Sequence, residues 1–406
     1  MEKEKKYTPL EDKKSDKLYG LKYFFPLDLD MASLRRLGIS CSLDDEVVRE
    51  LGEGVEKFRR LLEDKRLTAP AEFSTESVKL DEHLQVHNYT GMCPLNVFEI
   101  NPSSGSCSLS CLYCLVSDGK QRDPIVVNER YPELVGRELV EHKDKDHFFY
   151  LSPKTEAFSE PLLESGVAHN ILLTFIKHYQ KYPESRVKLF IASKAGTKQL
   201  KFKYRGDNIL SLLGQISGRV QFNGSIGLMP NYLHDVLEPN APSIEDRLNA
   251  ISLCQDKGIY AFSVLAQPIL PCYLNEDGLH SYMRNLSEKK IINIKPEFLT
   301  VNFENLAIIA QYVNHFDPHL IGPLLESYIS KDNRDHVKQR SRTAPSRELS
   351  LQGIQMINRV ASQYGISTSI CNWVVSEVNP HKKLLHQSSS MGFRCLGYQR
   401  NLFKND

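Results

Sequence analysis

The sequence predicts an α/β protein built from repeated strand–helix units. From about residue 95 onward, short runs of β-branched and aromatic residues alternate with helical patterns, as βα units require. The connections are long enough to join parallel strands, and near-continuous apolar runs such as 187–192 suit a sheet that is buried on both faces. At about 150 residues per domain, a chain of 406 residues holds two domains or one large barrel with additions. The repeated units favour the barrel.

Six strands are predicted along this part of the chain, and six fit a partial barrel rather than a closed one. An amphipathic helix is predicted between the second and third strands, because apolar residues recur at helical spacing from Leu162 to Tyr179. Such a helix would cover the sheet from outside. The predicted strands are residues 96–100, 147–152, 187–193, 220–226, 260–270 and 298–303.

The two ends of the chain have a different character, and they set the expected domain boundaries. Residues 1–92 are expected to form an N-terminal extension or cap, with a charged leader, helical stretches at 45–62 and a polar passage at 81–87. The barrel is expected over 93–310, and 311–406 would complete it or cover the substrate pocket. That last segment contains a polar loop at 333–348, a helix from Leu349, a strand at 366–375 and a tail rich in Lys, His and Ser.

Composition narrows the class of protein. There are 51 Lys and Arg against 50 Asp and Glu, the formal net charge is +1, and the mean hydropathy is −0.36. This balance provides no overall field for DNA, so nucleic acid is not the expected partner. No stretch approaches the roughly 18 apolar residues of a membrane helix, and the polar N-terminus does not resemble a signal peptide. The expectation is a cytoplasmic protein without a membrane partner.

The strongest signal is a cysteine array. Cys107, Cys111 and Cys114 form a C-x₃-C-x₂-C pattern directly after a predicted strand. Three thiolates on one tight loop suit soft or borderline metals, and an iron-sulfur cluster held by three cysteines leaves one iron open to a substrate. Zinc is the alternative, although a structural zinc site takes four ligands and usually paired C-x₂-C arrays. Cys93 and His87 are the nearby candidates for a fourth ligand.

With this array, the sequence resembles the radical S-adenosylmethionine (SAM) superfamily from about residue 96 to 305. The resemblance implies a partial (β/α)₆ barrel with a [4Fe-4S] cluster on Cys107, Cys111 and Cys114. It also implies that SAM chelates the fourth iron and is reductively cleaved to a 5′-deoxyadenosyl radical, which abstracts a hydrogen from the substrate. An electron donor such as flavodoxin or ferredoxin would be a partner.

Further strings resemble the branch that includes spore photoproduct lyase. They are Asn-Pro-Ser-Ser-Gly-Ser-Cys at 101–107, Leu-Glu-Pro-Asn-Ala-Pro-Ser at 237–243 and Arg-Leu-Asn-Ala-Ile at 247–251. Within these strings, Glu238 and Arg247 are predicted to form a structural pair or to start a helix, rather than to take part in catalysis.

Residues near the array and after the second strand are candidates for binding SAM. Tyr113 precedes the last cysteine, where its ring would lie over the adenine of the cofactor or simply pack beside the cluster. Lys154, Thr155 and Glu156 follow the second predicted strand, at the edge where barrel sites are built. They would bind the ammonium or carboxylate of the methionine moiety. A helix N-cap is the alternative for Thr155.

The next two strands end in polar residues as well. Ser193 and Lys194 end the third predicted strand, where a cation suits the methionine carboxylate, as the matching lysine does in the lyase branch. Asn223 and Ser225 end the fourth strand and would hydrogen-bond the ribose or the carboxylate. A structural role in a turn is the equal alternative for Asn223 and Ser225.

Four cysteines in the C-terminal half lie outside the array: Cys254, Cys272, Cys371 and Cys395. Cys272 follows the fifth strand at the predicted barrel edge and is the candidate hydrogen donor, with a buried inert thiol as the alternative. An auxiliary cluster is disfavoured, because none of the four is paired in a C-x₂-C pattern.

The preferred hypothesis is a radical SAM enzyme acting on a small molecule, nucleoside, sugar or peptide, by hydrogen abstraction followed by bond breaking, isomerisation or bond formation. DNA lesion repair is the first alternative. The lyase branch carries a hydrogen-donating cysteine after its second strand, and residues 151–158 contain none. A non-catalytic iron-sulfur or zinc protein is the second alternative, although a purely structural site has no reason to leave a coordination position open.

Overall fold

The structure is a computed structural model that describes residues 26–39, 45–63, 73–77, 79, 81, 83–86, 97–114, 123–329 and 343–370. Its strands are β1 Phe73–Glu76, β2 Gln85–Val86, β3 Val97–Ile100, β4 Ser103–Ser104, β5 Ile125–Asn128, β6 Phe148–Leu151, β7 Lys188–Ser193, β8 Lys203–Tyr204, β9 Asp207–Asn208, β10 Val220–Ser225, β11 Ser263–Ile269, β12 Asn293–Phe298 and β13 Ser367–Thr368.

The helices alternate with these strands along most of the chain. They are α1 Met31–Arg36, α2 Asp45–Glu63, α3 Tyr131–Glu141, α4 Glu160–Glu164, α5 Val167–Lys181, α6 Thr197–Leu200, α7 Ile209–Gln215, α8 Asn231–Leu237, α9 Ile244–Asp256, α10 Glu276–Glu288, α11 Phe303–Phe316, α12 Ile321–Ile329 and α13 Arg347–Gln363. No helix in the described ranges is long and apolar enough to cross a membrane.

The main sheet has eight strands in the order β13-β12-β11-β10-β7-β6-β3-β2. All neighbours from β3 to β13 pair in parallel, and only β2 runs antiparallel to its neighbour β3. The α/β class and the repeated βα units are therefore confirmed. No sheet formed by the described residues closes on itself, and the curvature of a partial barrel remains a prediction.

One face of the sheet is apolar and covered by helices. In β10, Val220 and Phe222 belong to the main hydrophobic core, while Gln221, Asn223 and Ser225 alternate with them and point to the other face. Gly224 shows how closely a helix covers the apolar face, because an added Cβ there would lie 2.5 Å from Cδ1 of Ile251 on α9. The opposite face therefore carries the polar residues of β10.

A second hydrophobic core joins the N-terminal helices to the cysteine loop. Leu34 of α1, Phe58 of α2 and Tyr312 of α11 are fully buried in it, together with Cys111 and Tyr113 of the loop. Helices α1 and α2 of the predicted N-terminal extension thus pack on elements that follow β12, whereas β1 and β2 pair with β5 and β3. The domain boundaries at 92 and 310 remain predictions.

Two sequence predictions of elements are wrong in detail. The sixth parallel strand is β12 rather than 298–303, and it contains Pro296. The proline is tolerated because the pairing with β11 is irregular between Ala266 and Ile269, directly beyond the residue opposite it. Residues 299–303 instead lead into α11, whose N-cap Asn302 accepts a hydrogen bond from the Asn305 amide.

The helix predicted across 162–179 is two helices, α4 and α5. They are separated at Gly166, which has a φ of 76° and is in contact with the ring of Tyr204. Only glycine adopts this left-handed conformation readily, and the ring leaves no room for a side chain. The predicted helices at 45–62 and from Leu349 are confirmed as α2 and α13. Of the strand at 366–375, β13 is present and residues from 371 lie outside the described ranges.

Candidate metal centre

The three array cysteines lie on a tight loop that begins just after β3 and the short strand β4. The carbonyl oxygen of Cys107 accepts a hydrogen bond from the Ser110 amide at 3.1 Å, and that of Cys111 accepts one from the Cys114 amide at 3.1 Å. Ser110 has a φ of 48°, which lets the loop reverse between the first two cysteines. Cys111 is buried, and the other two are half-buried.

The chain that follows α8 fastens this loop. The Leu112 amide donates to the carbonyl oxygen of Leu237 at 2.9 Å. The side chain of Asn240 donates to the carbonyl oxygen of Ser108 at 3.0 Å. These bonds satisfy polar groups of the loop backbone at two separate points, so the loop has a defined position relative to α8.

Glu238 lies at the centre of a buried ionic network below the loop. Its carboxylate accepts hydrogen bonds from the Tyr113 hydroxyl and the Arg247 guanidinium, and Nδ1 of His234 lies 3.2 Å from its second oxygen. Burial raises the pKa of Glu238, but the charges of Arg247 and Lys194 and the bond with His234 outweigh burial and hold it well below its usual range. Glu238 is therefore ionised in the folded protein.

Lys194 joins this network to the cysteines. Its Nζ lies 4.0 Å from the Glu238 carboxylate and 5.9 Å from the centre of the Tyr113 ring, and only 19% of its side chain is exposed. Burial lowers the pKa of Lys194, but the charges of Cys111 in its thiolate form and of Glu238 outweigh burial, so the net pKa is raised. A charged ammonium group thus lies beside the thiols, where it stabilises anions.

Glu156 lies on the other side of Lys194. One carboxylate oxygen accepts a hydrogen bond from the Lys194 amide at 2.8 Å, and the other accepts bonds from the Ser193 hydroxyl and from the Phe158 amide at 3.2 Å. The hydroxyl of the predicted site residue Ser193 therefore donates its hydrogen bond to Glu156. This arrangement joins the carboxyl ends of β6 and β7 next to the cysteine loop.

The thiols are buried enough to stay protonated without a metal. Burial raises the pKa of Cys107 to about 11 and also raises that of Cys111, against the opposing effect of Lys194. Metals bind the thiolate form, so a bound centre must displace these protons, and its positive charge would stabilise the thiolates. Three thiolates form a donor set that suits an iron-sulfur cluster, and the nearby cation of Lys194 would offset their negative charge.

The spacing of the sulfur atoms bears on the kind of metal. Within the described ranges, only His83, Glu138 and Glu141 bring three donor atoms within 4.8 Å of one another, and the array cysteines do not. A tetrahedral zinc ion with Zn–S bonds of about 2.3 Å would hold its sulfurs about 3.8 Å apart. The cysteine loop is therefore wider than a single zinc ion requires.

Lys154 and Thr155, which are also predicted to bind the cofactor, contact residues outside the cysteine array. Lys154 pairs with Glu99 at 3.0 Å and lies 3.1 Å from the side-chain oxygen of Gln85, with half of its side chain exposed. Thr155 lies 3.3 Å from the hydroxyl of Ser103, so its side chain faces the start of the cysteine loop. Helix α4 is capped by Ser159 rather than by Thr155. Binding of SAM by Lys154 and Thr155 remains a prediction.

Asn223 and Ser225 lie on the polar face of β10. Asn223 is fully buried and accepts a hydrogen bond from the Gln221 side chain at 3.0 Å. Ser225 donates to the carbonyl oxygen of Gln267 at 3.3 Å, and its own carbonyl accepts from Arg247. Arg247 therefore links the end of β10 to Glu238, while the predicted roles of Asn223 and Ser225 toward SAM remain predictions.

Cys272 lies in a short 3₁₀ turn after β11 and packs against the second core. Burial raises its pKa to about 12. Its neighbour Tyr273 donates to Asp317 at 2.6 Å, as does Tyr232. A role as hydrogen donor is untested. His87, Cys93, Cys371 and Cys395 lie outside the described residues.

Sequence reasoning assigned Glu238 and Arg247 to a structural pair, and the pair is present. It missed that this pair also binds Tyr113 and lies next to Lys194. No local pattern signalled these contacts, because Tyr113 and Glu238 are 125 residues apart in the sequence.

Comparisons with known proteins give weak similarities. The solved radical SAM methyltransferase TsrM from Kitasatospora setae, with tryptophan and the SAM analogue aza-SAM bound, matches with a TM-score of 0.39 and 12% identity. The match covers 72% of this chain and 62% of TsrM, so this chain spans less than two thirds of that protein. Methylornithine synthase (PylB) matches with a TM-score of 0.34 and 11% identity, over 97% of this chain and 91% of PylB. No protein-family model and no curated protein matches the sequence.

Proposed function

We propose that this chain is a radical SAM enzyme in which Cys107, Cys111 and Cys114 hold a [4Fe-4S] cluster. One observation carries the proposal: three buried or half-buried thiols lie on a single fastened loop after a parallel strand, beside the cation of Lys194. A site that offers three thiols leaves one iron of a cubane cluster without a protein ligand, and SAM would occupy that position.

The number of thiols favours a cluster over a structural zinc ion. A structural zinc site requires a fourth protein ligand and sulfur atoms about 3.8 Å apart. The array lies on a wider loop, and the group of donor atoms that is close enough for one ion lies elsewhere among the described residues.

The bound cluster and SAM would supply the chemistry, which is reductive cleavage of SAM and hydrogen abstraction by the resulting 5′-deoxyadenosyl radical. The protein would supply position and charge. Lys194 would bind the carboxylate of SAM, because its ammonium lies beside the cysteines and is itself held near Glu238. Tyr113, anchored by Glu238, would fix the loop next to the cofactor.

The substrate would be a small molecule, nucleoside, sugar or peptide that meets the polar face of β10. Gln221, Asn223 and Ser225 lie on this face. A buried polar face favours a substrate with hydrogen-bonding groups, because a few placed polar side chains fix the orientation of a ligand.

The test is anaerobic reconstitution of the full chain with iron and sulfide, followed by reduction in the presence of SAM and chromatography for 5′-deoxyadenosine. We expect the native chain to form 5′-deoxyadenosine and the variant with Cys107, Cys111 and Cys114 all changed to Ala to form none. The matched control is Cys254→Ala, because Cys254 is a buried thiol of the main core, on α9.

Two outcomes would overturn the proposal. A native chain that carries an intact cluster but neither binds nor cleaves SAM would assign the array to a structural or sensing site. A chain that binds one zinc ion through the three cysteines and assembles no cluster would assign it to a zinc protein. If the native chain does form 5′-deoxyadenosine, deuterium transfer from candidate substrates to this product would identify the substrate and the reaction.

A further inference from the structure

A second group of metal-binding side chains lies at the far end of α3. Glu138, Glu141 and His142 have the spacing i, i+3 and i+4, which places them on one side of the helix end. His83, which comes just before β2, lies against them. Helix α3 runs from the end of β5 to the start of β6, so this group lies near the amino end of β6, whereas the cysteine loop follows the carboxyl end of β3.

The donor atoms of His83, Glu138 and Glu141 already lie within 4.8 Å of one another, and His142 approaches the other oxygen of Glu138. Nδ1 of His83 lies 2.9 Å from a carboxylate oxygen of Glu138 and 3.9 Å from one of Glu141. Nε2 of His142 lies 3.5 Å from the other oxygen of Glu138. In a tetrahedral zinc site with bonds of about 2.1 Å, neighbouring nitrogen and oxygen ligands are about 3.4 Å apart. The observed distances bracket that value.

Glu138 is a buried carboxylate whose two oxygens are not both hydrogen-bonded. It is only 1% exposed, and its second carboxylate oxygen has no hydrogen-bond partner in the described part of the chain. Burying a carboxylate is costly unless both oxygens are paired, or unless the group coordinates a metal. A cation placed between Glu138, Glu141 and the two histidines would satisfy this oxygen.

His142 has a fixed orientation within the group. Its ring centre lies 4.4 Å from that of Phe98 and 5.2 Å from that of His147. His83 and Glu141 are exposed, with 65% and 54% of their side chains accessible, so the group is open to ions from solvent. The buried side of the site is therefore rigid, and its entrance is accessible.

We propose that His83, Glu138, Glu141 and His142 bind a divalent transition-metal ion, with zinc as the ion that fits best. Imidazole nitrogens and carboxylate oxygens are ordinary zinc ligands, and two carboxylates balance the charge of the ion. The ion would join the segment that carries β2 to α3, and would so stabilise the antiparallel edge of the main sheet. The proposal does not depend on the function of the cysteine loop.

The first measurement is zinc content after equilibrium dialysis of the full chain, with the cysteine site filled by iron and sulfide. We expect the native chain to retain one zinc more than the variants His83→Gln and Glu141→Gln. Both substitutions are at exposed positions, and circular dichroism would verify that the variants fold. The controls His319→Gln and Glu133→Gln, both exposed, are expected to retain as much zinc as the native chain.

X-ray absorption at the zinc edge identifies the ligands of that ion. We expect nitrogen and oxygen neighbours at about 2.0–2.2 Å and no sulfur at about 2.3 Å. Zinc should also raise the melting temperature of the native chain and leave that of His83→Gln unchanged. Equal zinc content in the native chain and His83→Gln, or sulfur in the first coordination sphere, would overturn the proposal.

Discussion

At the scale of single residues, Glu238 has the most demanding environment near the cysteines. Its side chain is fully buried and accepts hydrogen bonds from the Tyr113 hydroxyl and the Arg247 guanidinium. The ammonium of Lys194 also lies close to it. A buried carboxylate of this kind does not by itself add stability, but removing its charge leaves two buried cations uncompensated. The residue therefore acts by fixing the positions of its partners.

Glu238→Gln is expected to lower the free energy of unfolding by about 3 to 5 kcal/mol, because Arg247 and Lys194 lose their buried counter-charge. Urea denaturation of the cluster-free chain measures this change. Glu245→Gln is the matched control, since Glu245 is exposed in the first turn of α9, and it should change the free energy by less than about 0.5 kcal/mol. Equal losses in the two variants would show that Glu238 has no special role.

Lys194→Met is expected to weaken SAM binding by about 10- to 100-fold, which corresponds to a loss of about 1.5 to 3 kcal/mol for a hydrogen bond to a charged group. This prediction rests on the proposed function. Equilibrium dialysis with labelled SAM measures the affinity, and the iron content of each sample verifies that the cluster is intact. Lys198→Met is the control, because 77% of the Lys198 side chain is exposed. Unchanged affinity in Lys194→Met would remove Lys194 from the SAM site.

At the scale of whole elements, the contact between α2 and α11 holds the N-terminal segment in place. The backbones approach closely at Gly54, where an added Cβ would lie 2.6 Å from Cβ of Ala307 and 2.7 Å from Cα of Glu304. A salt bridge of 2.9 Å between Lys57 and Glu304 flanks this contact. The side chain of Gln311 also bonds both backbone groups of Leu27. This segment is thus integrated into the second core.

Substituting Gly54 by Ala is expected to destabilise the protein by about 1 to 3 kcal/mol, because the added methyl group has no space between the helices. Gly52 lies on the same helix with nothing within 4 Å of the position of its Cβ. Gly52→Ala should therefore stabilise the protein by about 0.5 to 1 kcal/mol through helix propensity. Thermal denaturation of the two variants gives the comparison. Stabilisation by both substitutions would mean that α2 does not pack on α11 in solution.

At the scale of the whole molecule, the cysteine loop belongs to the second of two large hydrophobic cores. The main core fills the space between the sheet and its outer helices, and the second core contains Cys111 and Tyr113 together with α1, α2, α11 and α12. A ligand that binds only the folded state stabilises that state. A cluster bound to the loop should therefore stabilise the whole second core against local opening.

Reconstitution of the cluster is expected to slow amide hydrogen exchange in α2 and α11 as well as in residues 105–114. The physical reason is that these helices share a packed core with the array cysteines, so that local opening of one disturbs the others. Mass spectrometry of exchanged peptides, with and without the cluster, measures the effect. Exchange in α5, which packs in the main core, serves as the internal reference. Protection limited to residues 105–114 would contradict the shared core.

The α/β class, five of the seven strands of the parallel series to within a few residues, and the place of the cysteine array after the first of them could be predicted from local patterns. Local signals suffice for these features, because strand periodicity and ligand spacing are short-range properties. Prediction failed at β12, where Pro296 and the charged Lys295 and Glu297 conceal a strand that only its pairing with β11 and β13 stabilises. It also failed at Gly166, where contact with Tyr204 accompanies the break in the helix.

The surroundings of the cysteines depend on contacts between distant parts of the chain. Tyr113 and Glu238 are 125 residues apart in sequence, and their hydrogen bond depends on how the chain after α8 returns to the loop. His83 and Glu138 likewise meet across 55 residues. Such contacts arise from the burial of distant charged groups that must find partners when water is excluded, and no local pattern encodes which partner each will find.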